Sequence, residues 1–174
     1  MKVLAGLFGA LLLSAGAMAG DAVHYAFECD APAGHFSYWR RSVNTTEIEI
    51  SGKLAMEAVH EDKKWNPSAN IILRKGTDRS GRFGIRLYVS PKTPGTVSAD
   101  LLKVGGHDAI GTGSVPHAGK PTPFSLRLDA SGLLKVMVAG VEASTMIGPF
   151  KPDTFELNCS TAEFNFTDVT VTEK

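Results

Sequence analysis

The sequence is short of charge of one sign, of long apolar runs and of helical periodicity, and each shortage excludes a class of protein. Lysine and arginine together number 18, as do aspartate and glutamate, so the 174-residue chain has a formal net charge of zero. A nucleic-acid-binding protein usually carries a strongly basic face, which this balance does not favour. After residue 20, no apolar run approaches the roughly 20 residues that a membrane-spanning helix needs. We therefore predict neither a nucleic-acid partner nor a membrane span.

The N-terminal residues have the pattern of an export signal. Lys2 precedes an apolar run from Val3 to Leu13, and small residues follow up to the Ala-Met-Ala sequence that ends at residue 19. A charged segment, a short apolar segment and an A-x-A site are typical of a cleaved signal peptide. We predict a signal peptide at residues 1–19 and one domain at residues 20–174, exported to the periplasm or the cell exterior. The alternative is a buried apolar helix at the N-terminus.

The chain has only two cysteines, Cys29 and Cys159. In an oxidising compartment two cysteines permit a single pairing, and no histidine flanks either one as a metal site would require. We expect a Cys29–Cys159 disulfide, which would place the segments around both residues side by side. It would close a loop of about 130 residues and, in the chain-entropy model, stabilise the fold by roughly 4–5 kcal/mol.

Apolar and polar residues alternate along most of the chain after residue 20. Residues 82–90 show this period of two most clearly and residues 46–60 show it as well, whereas residues 68–76 are mostly apolar and end in a turn. Residues 124–140 have the pattern of a hairpin, with a turn from Asp129 to Gly132. Eight or more short strands without helices predict an all-β fold, either a sandwich of two antiparallel sheets or a barrel.

The C-terminal segment FELNCSTAEFNFTDVTV (residues 155–171) predicts two closing strands, with a bulge at Thr167–Asp168 where the alternation changes phase. Together with PFSLRLDASGLLKVMVAG (residues 123–140), the pattern AEFNFTDVTVT resembles the C-terminal half of concanavalin A-like lectin/glucanase jelly rolls, which include laminin-G-like domains. The resemblance implies a two-sheet antiparallel β-sandwich whose first and last strands are neighbours. Galactose-binding-like jelly rolls end similarly and are the alternative fold. The closing strands would then leave the opposite sheet and the loop at residues 103–123 for function.

Several cations and an aromatic ring fall on the outward phase of the predicted strands. Arg86, Tyr88 and Arg127 lie on that phase, and Arg74 joins them if its strand keeps the same alternation. Arginine grips carboxylates through paired hydrogen bonds and rings stack on sugars, so these residues predict a binding face for an acidic glycan. An ordinary solvated sheet face is the alternative. An exposed Trp65 could add a flat surface on which a sugar stacks, and Tyr38 and Trp39 are further candidates for the same role.

No recognisable catalytic set is present in the sequence. Glu47 and Glu49 could form a pair of glycosidase carboxylates, but the Glu-x-Asp-x-Glu strand of the glucanases that the chain resembles lacks its third carboxylate and central aspartate here. The five histidines show no metal-ligand spacing, although two of them, His107 and His117, share the long loop. We predict no catalytic residue, no metal site and no cofactor, apart from a structural calcium ion that Asp168 could hold with Glu28 or Asp30.

These observations together favour an exported, non-catalytic binding module whose partner is a carbohydrate or another component of the cell envelope. A structural or protein-interaction module is the alternative. A polysaccharide hydrolase or lyase is the less favoured third interpretation.

Overall fold

A computed structural model describes residues 22–77, 81–89, 96–103, 106–110, 115–116 and 120–174. These residues form thirteen β-strands and no helix, so none of them belongs to a helix long and apolar enough to cross a membrane. The strands form two antiparallel sheets, one of six strands and one of seven. The prediction of an all-β sandwich is confirmed.

The six-stranded sheet contains both ends of the described chain. Its strands, in spatial order, are β1 (Val23–Asp30), β13 (Ala162–Glu173), β3 (Ile48–Val59), β9 (Thr122–Leu128), β10 (Leu133–Val138) and β11 (Val141–Met146). Strands β1 and β13 pair antiparallel, with Cys29 opposite Phe164. The first and last strands are therefore neighbours, as the resemblance implied.

The seven-stranded sheet contains most of the middle of the chain. Its strands, in spatial order, are β2 (Phe36–Ser42), β12 (Thr154–Ser160), β4 (Ser68–Arg74), β5 (Arg82–Val89), β6 (Thr96–Lys103) and β7 (Gly106–Ala109), and β8 (Val115–Pro116) also pairs with β6. Strands β7 and β8 lie within the segment that the sequence suggested to be a long loop.

Alternating apolar side chains from both sheets form one core. In β5, Phe83, Ile85 and Leu87 are buried while Arg86 is only half-buried. In β9, Leu126 and Leu128 are buried while the residue between them is exposed. Successive strand residues point to opposite faces, so this pattern requires a second sheet against the apolar face. Each fully buried side chain of this kind contributes roughly 1.5–3 kcal/mol.

The hairpin between β9 and β10 turns where the sequence predicted. The Asp129 carboxylate accepts hydrogen bonds from the backbone N–H groups of Ser131 (2.9 Å) and Leu133 (3.0 Å). These bonds lower the pKa of Asp129, the side-chain bond from Ser131 most of all. Gly132 has a φ of 84°, a conformation that costs glycine little.

The two C-terminal strands do not finish the same sheet. Strand β12 lies between β2 and β4 in the seven-stranded sheet, whereas β13 lies in the six-stranded one. The chain changes sheet at Thr161, which has a φ of 58°. The bulge predicted in β13 is present, since the register with β3 shifts between Thr167 and Thr170 and Asp168 has a φ of 53°.

The Cys29–Cys159 disulfide is confirmed, and it joins the two sheets. Cys29 belongs to β1 and Cys159 to β12, with a Cα–Cα distance of 6.0 Å and a sequence separation of 130 residues. Both cysteines are buried in the core. The bond therefore fixes the distance between the two sheets at this point and holds β1 beside β12.

Candidate functional site

The outward face of the seven-stranded sheet carries an open groove of about 810 Å³. Among its described lining residues, six cations face one carboxylate, that of Glu156, although the whole chain has equal numbers of basic and acidic residues. The six cations are Arg40, Lys64, Arg74, Arg82, Arg86 and Lys103. A cleft lined by charge of one sign concentrates ligands of the opposite sign, so the groove favours anions.

The strand register places a row of polar side chains across the middle of this face. Asn158 in β12 is opposite Asn70 in β4, Asn70 is opposite Arg86 in β5, and Arg86 is opposite Asp100 in β6. Directly opposite residues of antiparallel strands share a face, with their Cβ atoms about 5 Å apart. The Asn70 side-chain amide donates a 2.7 Å hydrogen bond from Nδ2 to Asn158 Oδ1. The row offers amide, guanidinium and carboxylate groups side by side.

A second row is organised around Glu156, which is only 4 % exposed. Its carboxylate accepts hydrogen bonds from Arg74 Nη1 (2.7 Å), Arg40 Nε (2.6 Å) and Asn158 Nδ2 (2.6 Å). Burial by itself would raise the pKa of Glu156, but the bonds from Arg74, Arg40 and Asn158 outweigh it and lower the pKa. Glu156 is therefore an ionised anchor that holds two of the groove's arginines in place.

Arg86 differs from Arg74 and Arg40 because it has no anchor of this kind. It forms no hydrogen bond or ion pair with any residue that the structure describes, and its guanidinium lies against the Tyr88 ring, 5.2 Å from the centroid. Asp100 is its closest charge partner by register. A half-buried guanidinium with unused donors, backed by a ring, can grip a carboxylate through two parallel hydrogen bonds.

Asp100 is the other unusual residue of the central row. It is 2 % exposed, and its buried Oδ2 atom, 3.6 Å from His107 Nε2, has no hydrogen-bond partner in the part of the chain that the structure describes. Burial raises the pKa of Asp100, and the positive charges of His107 and Arg86 oppose that rise without cancelling it. This carboxyl group can therefore take up a proton more readily than an exposed aspartate does.

Exposed aromatic rings lie at the β2 edge of the groove. Trp65 is 58 % exposed and Phe36 is 71 % exposed, and both line the groove. Phe36 is stacked against Tyr38, with ring centroids 6.0 Å apart, and the Arg40 guanidinium lies 4.1 Å from the centre of the Tyr38 ring. The Asp62 carboxylate fixes the loop that carries Trp65 by accepting its backbone N–H at 2.9 Å. Such rings offer flat surfaces to the apolar faces of sugars.

The structure brings together four of the five residues that the sequence suggested as ligand-binding. Arg74, Arg86 and Tyr88 share the outward face of the seven-stranded sheet, and Trp65 lies at the edge of its groove. Arg127 does not join them, because β9 belongs to the six-stranded sheet, where Arg127 is exposed opposite Lys135. The outward phase was predicted correctly for all three arginines, but phase does not say which sheet a strand joins.

The other candidate residues lie away from the groove or inside the protein. Trp39 packs inward, 4.7 Å from the Tyr25 ring and 5.9 Å from the Phe155 ring, measured between centroids. Glu49 lies on the exposed face of the six-stranded sheet, where Lys174 Nζ is 3.6 Å away, and Glu47 directly precedes β3. These carboxylates therefore do not face the groove.

The histidines are dispersed. His35 and His107 lie on or beside the groove face, His24 is beside Thr170, and His60 is near Asp30. His117 lies outside the described residues.

The residues suggested for calcium are not assembled as a set. Asp168 Oδ2 pairs with Lys53 Nζ at 2.8 Å, Glu28 is opposite Asn165, and Asp30 is opposite Glu163. Asp30 and Glu163 instead converge with His60, and the candidate ligand atoms of these three residues lie within 4.8 Å of one another. The calcium ion stays a prediction, and Asp30 is the only one of its suggested ligands in this cluster.

Glu156, Asn158 and Asp100 were missed as site residues. Glu156 and Asn158 alternate with Phe155, Leu157 and Cys159, so their outward phase was readable in the C-terminal segment. The sequence predicts only a structural role for that segment, as two closing strands, and places function on the opposite sheet. In the structure, however, β12 contributes Glu156, which holds two arginines of the groove. Asp100 has no such signal, because its burial comes from neighbouring chain segments.

No family model and no curated protein matches this chain. Solved structures do resemble it. The carbohydrate-binding module CBM66 from Bacillus subtilis aligns over 90 % of this chain and 98 % of its own, with 13 % identity and a TM-score of 0.56. An alginate lyase from Pseudomonas aeruginosa covers 80 % of this chain and 75 % of its own, with 16 % identity and a TM-score of 0.62. An alginate lyase from Alteromonas sp. 272 covers 84 % of this chain and 86 % of its own, with 11 % identity and a TM-score of 0.57. At these identities the likeness concerns the fold, which is that of the concanavalin-like jelly rolls.

Proposed function

We propose that this protein is an exported, non-catalytic module that binds acidic polysaccharide in the groove of its seven-stranded sheet. The observation that carries the proposal is Arg86, a half-buried guanidinium that lines a cation-rich groove and has no hydrogen-bonded anion among the described residues. Its neighbours Asn70 and Asn158 supply amide groups suited to sugar hydroxyls. Arg86 would hold a sugar carboxylate, and Trp65 and Phe36 would stack on adjoining sugar rings.

The fold and the covalent structure support this proposal. A carbohydrate-binding module and lyases that act on an acidic polysaccharide share the fold, although they are too distant to transfer a ligand. The buried disulfide is compatible with an oxidising compartment, and the N-terminal residues have an export pattern. Carbohydrates outside the cytoplasm are accordingly the partners to test.

The test compares two arginine variants on opposite sheets. Isothermal titration calorimetry of alginate, polygalacturonate and a neutral glucan would be done with the wild type, Arg86→Gln and Arg127→Gln. Because a hydrogen bond to a charged group contributes about 1.5–3 kcal/mol, Arg86→Gln should weaken binding of a polyuronate by about tenfold to a hundredfold. Arg127→Gln, which removes the same charge from the other sheet, should change it by less than about twofold.

Different outcomes would overturn different parts of the proposal. Equal losses in Arg86→Gln and Arg127→Gln would show that net charge, and not the groove, attracts the ligand. Absence of binding to every polysaccharide would leave a structural or protein-interaction module as the better interpretation. Appearance of unsaturated uronate products in the mixtures would mean that the groove is catalytic.

A further inference from the structure

Asp100 presents a problem for the groove as a site for anions, because it puts a negative charge beside Arg86. The two residues are directly opposite each other on β5 and β6 and share the outward face. A ligand carboxylate that binds Arg86 therefore approaches a second carboxylate. Two neighbouring negative charges repel each other, and the repulsion is strong where water is largely excluded.

Few interactions with described residues stabilise the ionised form of Asp100. The residue is only 2 % exposed, and its buried Oδ2 atom accepts no hydrogen bond from any described residue. A buried carboxylate that lacks hydrogen-bond donors is costly, and protonation removes that cost. The charged and titratable groups that face Asp100 among the described residues are Arg86 from β5 and His107 from β7. The Tyr88 ring lies on the same face, two residues along β5 from Arg86. Of these groups, the Arg86 guanidinium is the permanent positive charge beside Asp100.

When an anion binds Arg86, the stabilisation that Arg86 gives to the Asp100 carboxylate becomes weaker. A carboxylate bound to the guanidinium neutralises much of the positive field that Arg86 exerts on Asp100, and adds a negative charge of its own. Both effects favour the protonated form of Asp100. Anion binding and proton binding at this site should therefore help each other.

We propose that the groove takes up a proton with its ligand: Asp100 binds a proton when a sugar carboxylate occupies Arg86, so that affinity for acidic glycans rises as the pH falls. The inference rests on the proposed function and adds a regulator to the same site. Since burial has already raised the pKa of Asp100 above its ordinary value of 3.8, the change is expected above that pH. The window should be examined above about pH 4.5, where free carboxylates of the glycan remain ionised.

The experiment measures affinity and proton uptake in the same protein. Calorimetric titrations of polygalacturonate at pH 5 and pH 7.5, repeated in buffers of different ionisation enthalpy, give the dissociation constant and the number of protons bound. The variants are Asp100→Asn, which has no charge to lose, and Asp168→Asn, an exposed aspartate of the six-stranded sheet as the control. A coupling of one pKa unit corresponds to tenfold in affinity. The wild type and Asp168→Asn should therefore bind more tightly at pH 5, by up to about tenfold for a coupling of that size, with net proton uptake.

Asp100→Asn should bind at pH 7.5 at least as tightly as the wild type does at pH 5, and its dependence on pH should be much smaller. Wild-type binding that takes up no proton, or an Asp100→Asn variant with the full wild-type pH dependence, would overturn the inference and leave the proposed function intact. If no polyuronate binds at either pH, the proposed function fails, and the coupling is then tested alone by NMR titration of the Asp100 carboxyl carbon. A higher Asp100 pKa in Arg86→Gln supports the charge coupling, and an unchanged one refutes it.

Discussion

Glu156 offers the most direct test of how the groove is built. The substitution Glu156→Gln keeps the shape of the side chain and removes its charge. Arg74, which is 6 % exposed, would then lie buried beside a neutral amide, while Arg40, with 44 % of its side chain exposed, can turn to water. The Asn158 amide donates to Glu156 Oε1, and it would lose that acceptor if the glutamine places its NH₂ there.

The magnitude follows from these contacts. Breaking a buried ion pair by removing one partner costs about 3–5 kcal/mol. We expect about 3 kcal/mol, because the glutamine oxygen can still accept one bond from Arg74. For a domain of this size each kcal/mol lowers the melting temperature by roughly 2–4 °C, so the variant should melt about 6–12 °C below the wild type. Binding of a polyuronate at low salt should become tighter in the same variant, since the groove loses its one described lining carboxylate.

The pH dependence gives an independent check. The pKa of Glu156 is lowered in the folded protein, so its stabilising contribution is complete above its ordinary value of 4.5 and is lost as the pH falls through the lowered folded value. The difference in melting temperature between the wild type and Glu156→Gln should therefore be full at pH 7 and should shrink on acidification below about pH 4.5. Thermal melts followed by circular dichroism measure it, with Glu142→Gln, an exposed glutamate of β11, as the control. A Glu156→Gln variant that melts within about 1 °C of the wild type at pH 7 would refute this account of the groove.

Two further predictions concern the framework that holds the groove. Replacing both Cys29 and Cys159 by alanine opens a loop of 130 residues, so urea unfolding should show a loss of about 5 kcal/mol in the chain-entropy model, and a loss below about 1 kcal/mol would contradict that model here. Gly132 and Gly140 share a φ of 84°, but a Cβ atom at Gly132 would lie 1.9 Å from the Gly148 carbonyl oxygen and one at Gly140 would meet nothing within 4 Å. Gly132→Ala should therefore destabilise the protein by clearly more than Gly140→Ala in the same urea assay, and equal losses would show that φ alone sets the cost.

The sequence by itself determined the fold class, the strand phases and the disulfide. The alternation in residues 82–90 requires two faces of different polarity, which only a half-buried strand provides, and the structure shows Phe83, Ile85 and Leu87 inside. The disulfide was predictable because two cysteines allow one pairing. The turn at Asp129–Gly132 and the bulge at Thr167–Asp168 were readable because each needs particular residues within a few positions of one another. The strand phases, the turn and the bulge depend on residues close together in the sequence, and the disulfide depends only on the number of cysteines.

Tertiary structure alone decided which outward-facing residues meet. Arg86 and Arg127 have the same phase in similar strands, yet they lie on opposite sheets, because strand order is set by packing between segments distant in the chain. For the same reason the C-terminal segment divides between the two sheets, and Glu156 anchors Arg74 across 82 residues of sequence. The burial of Asp100 likewise depends on neighbours from β5 and β7, and no pattern along its own strand encodes it. The side chains of this groove are specified one by one in the sequence, and they form a site only when the sheet brings their strands together.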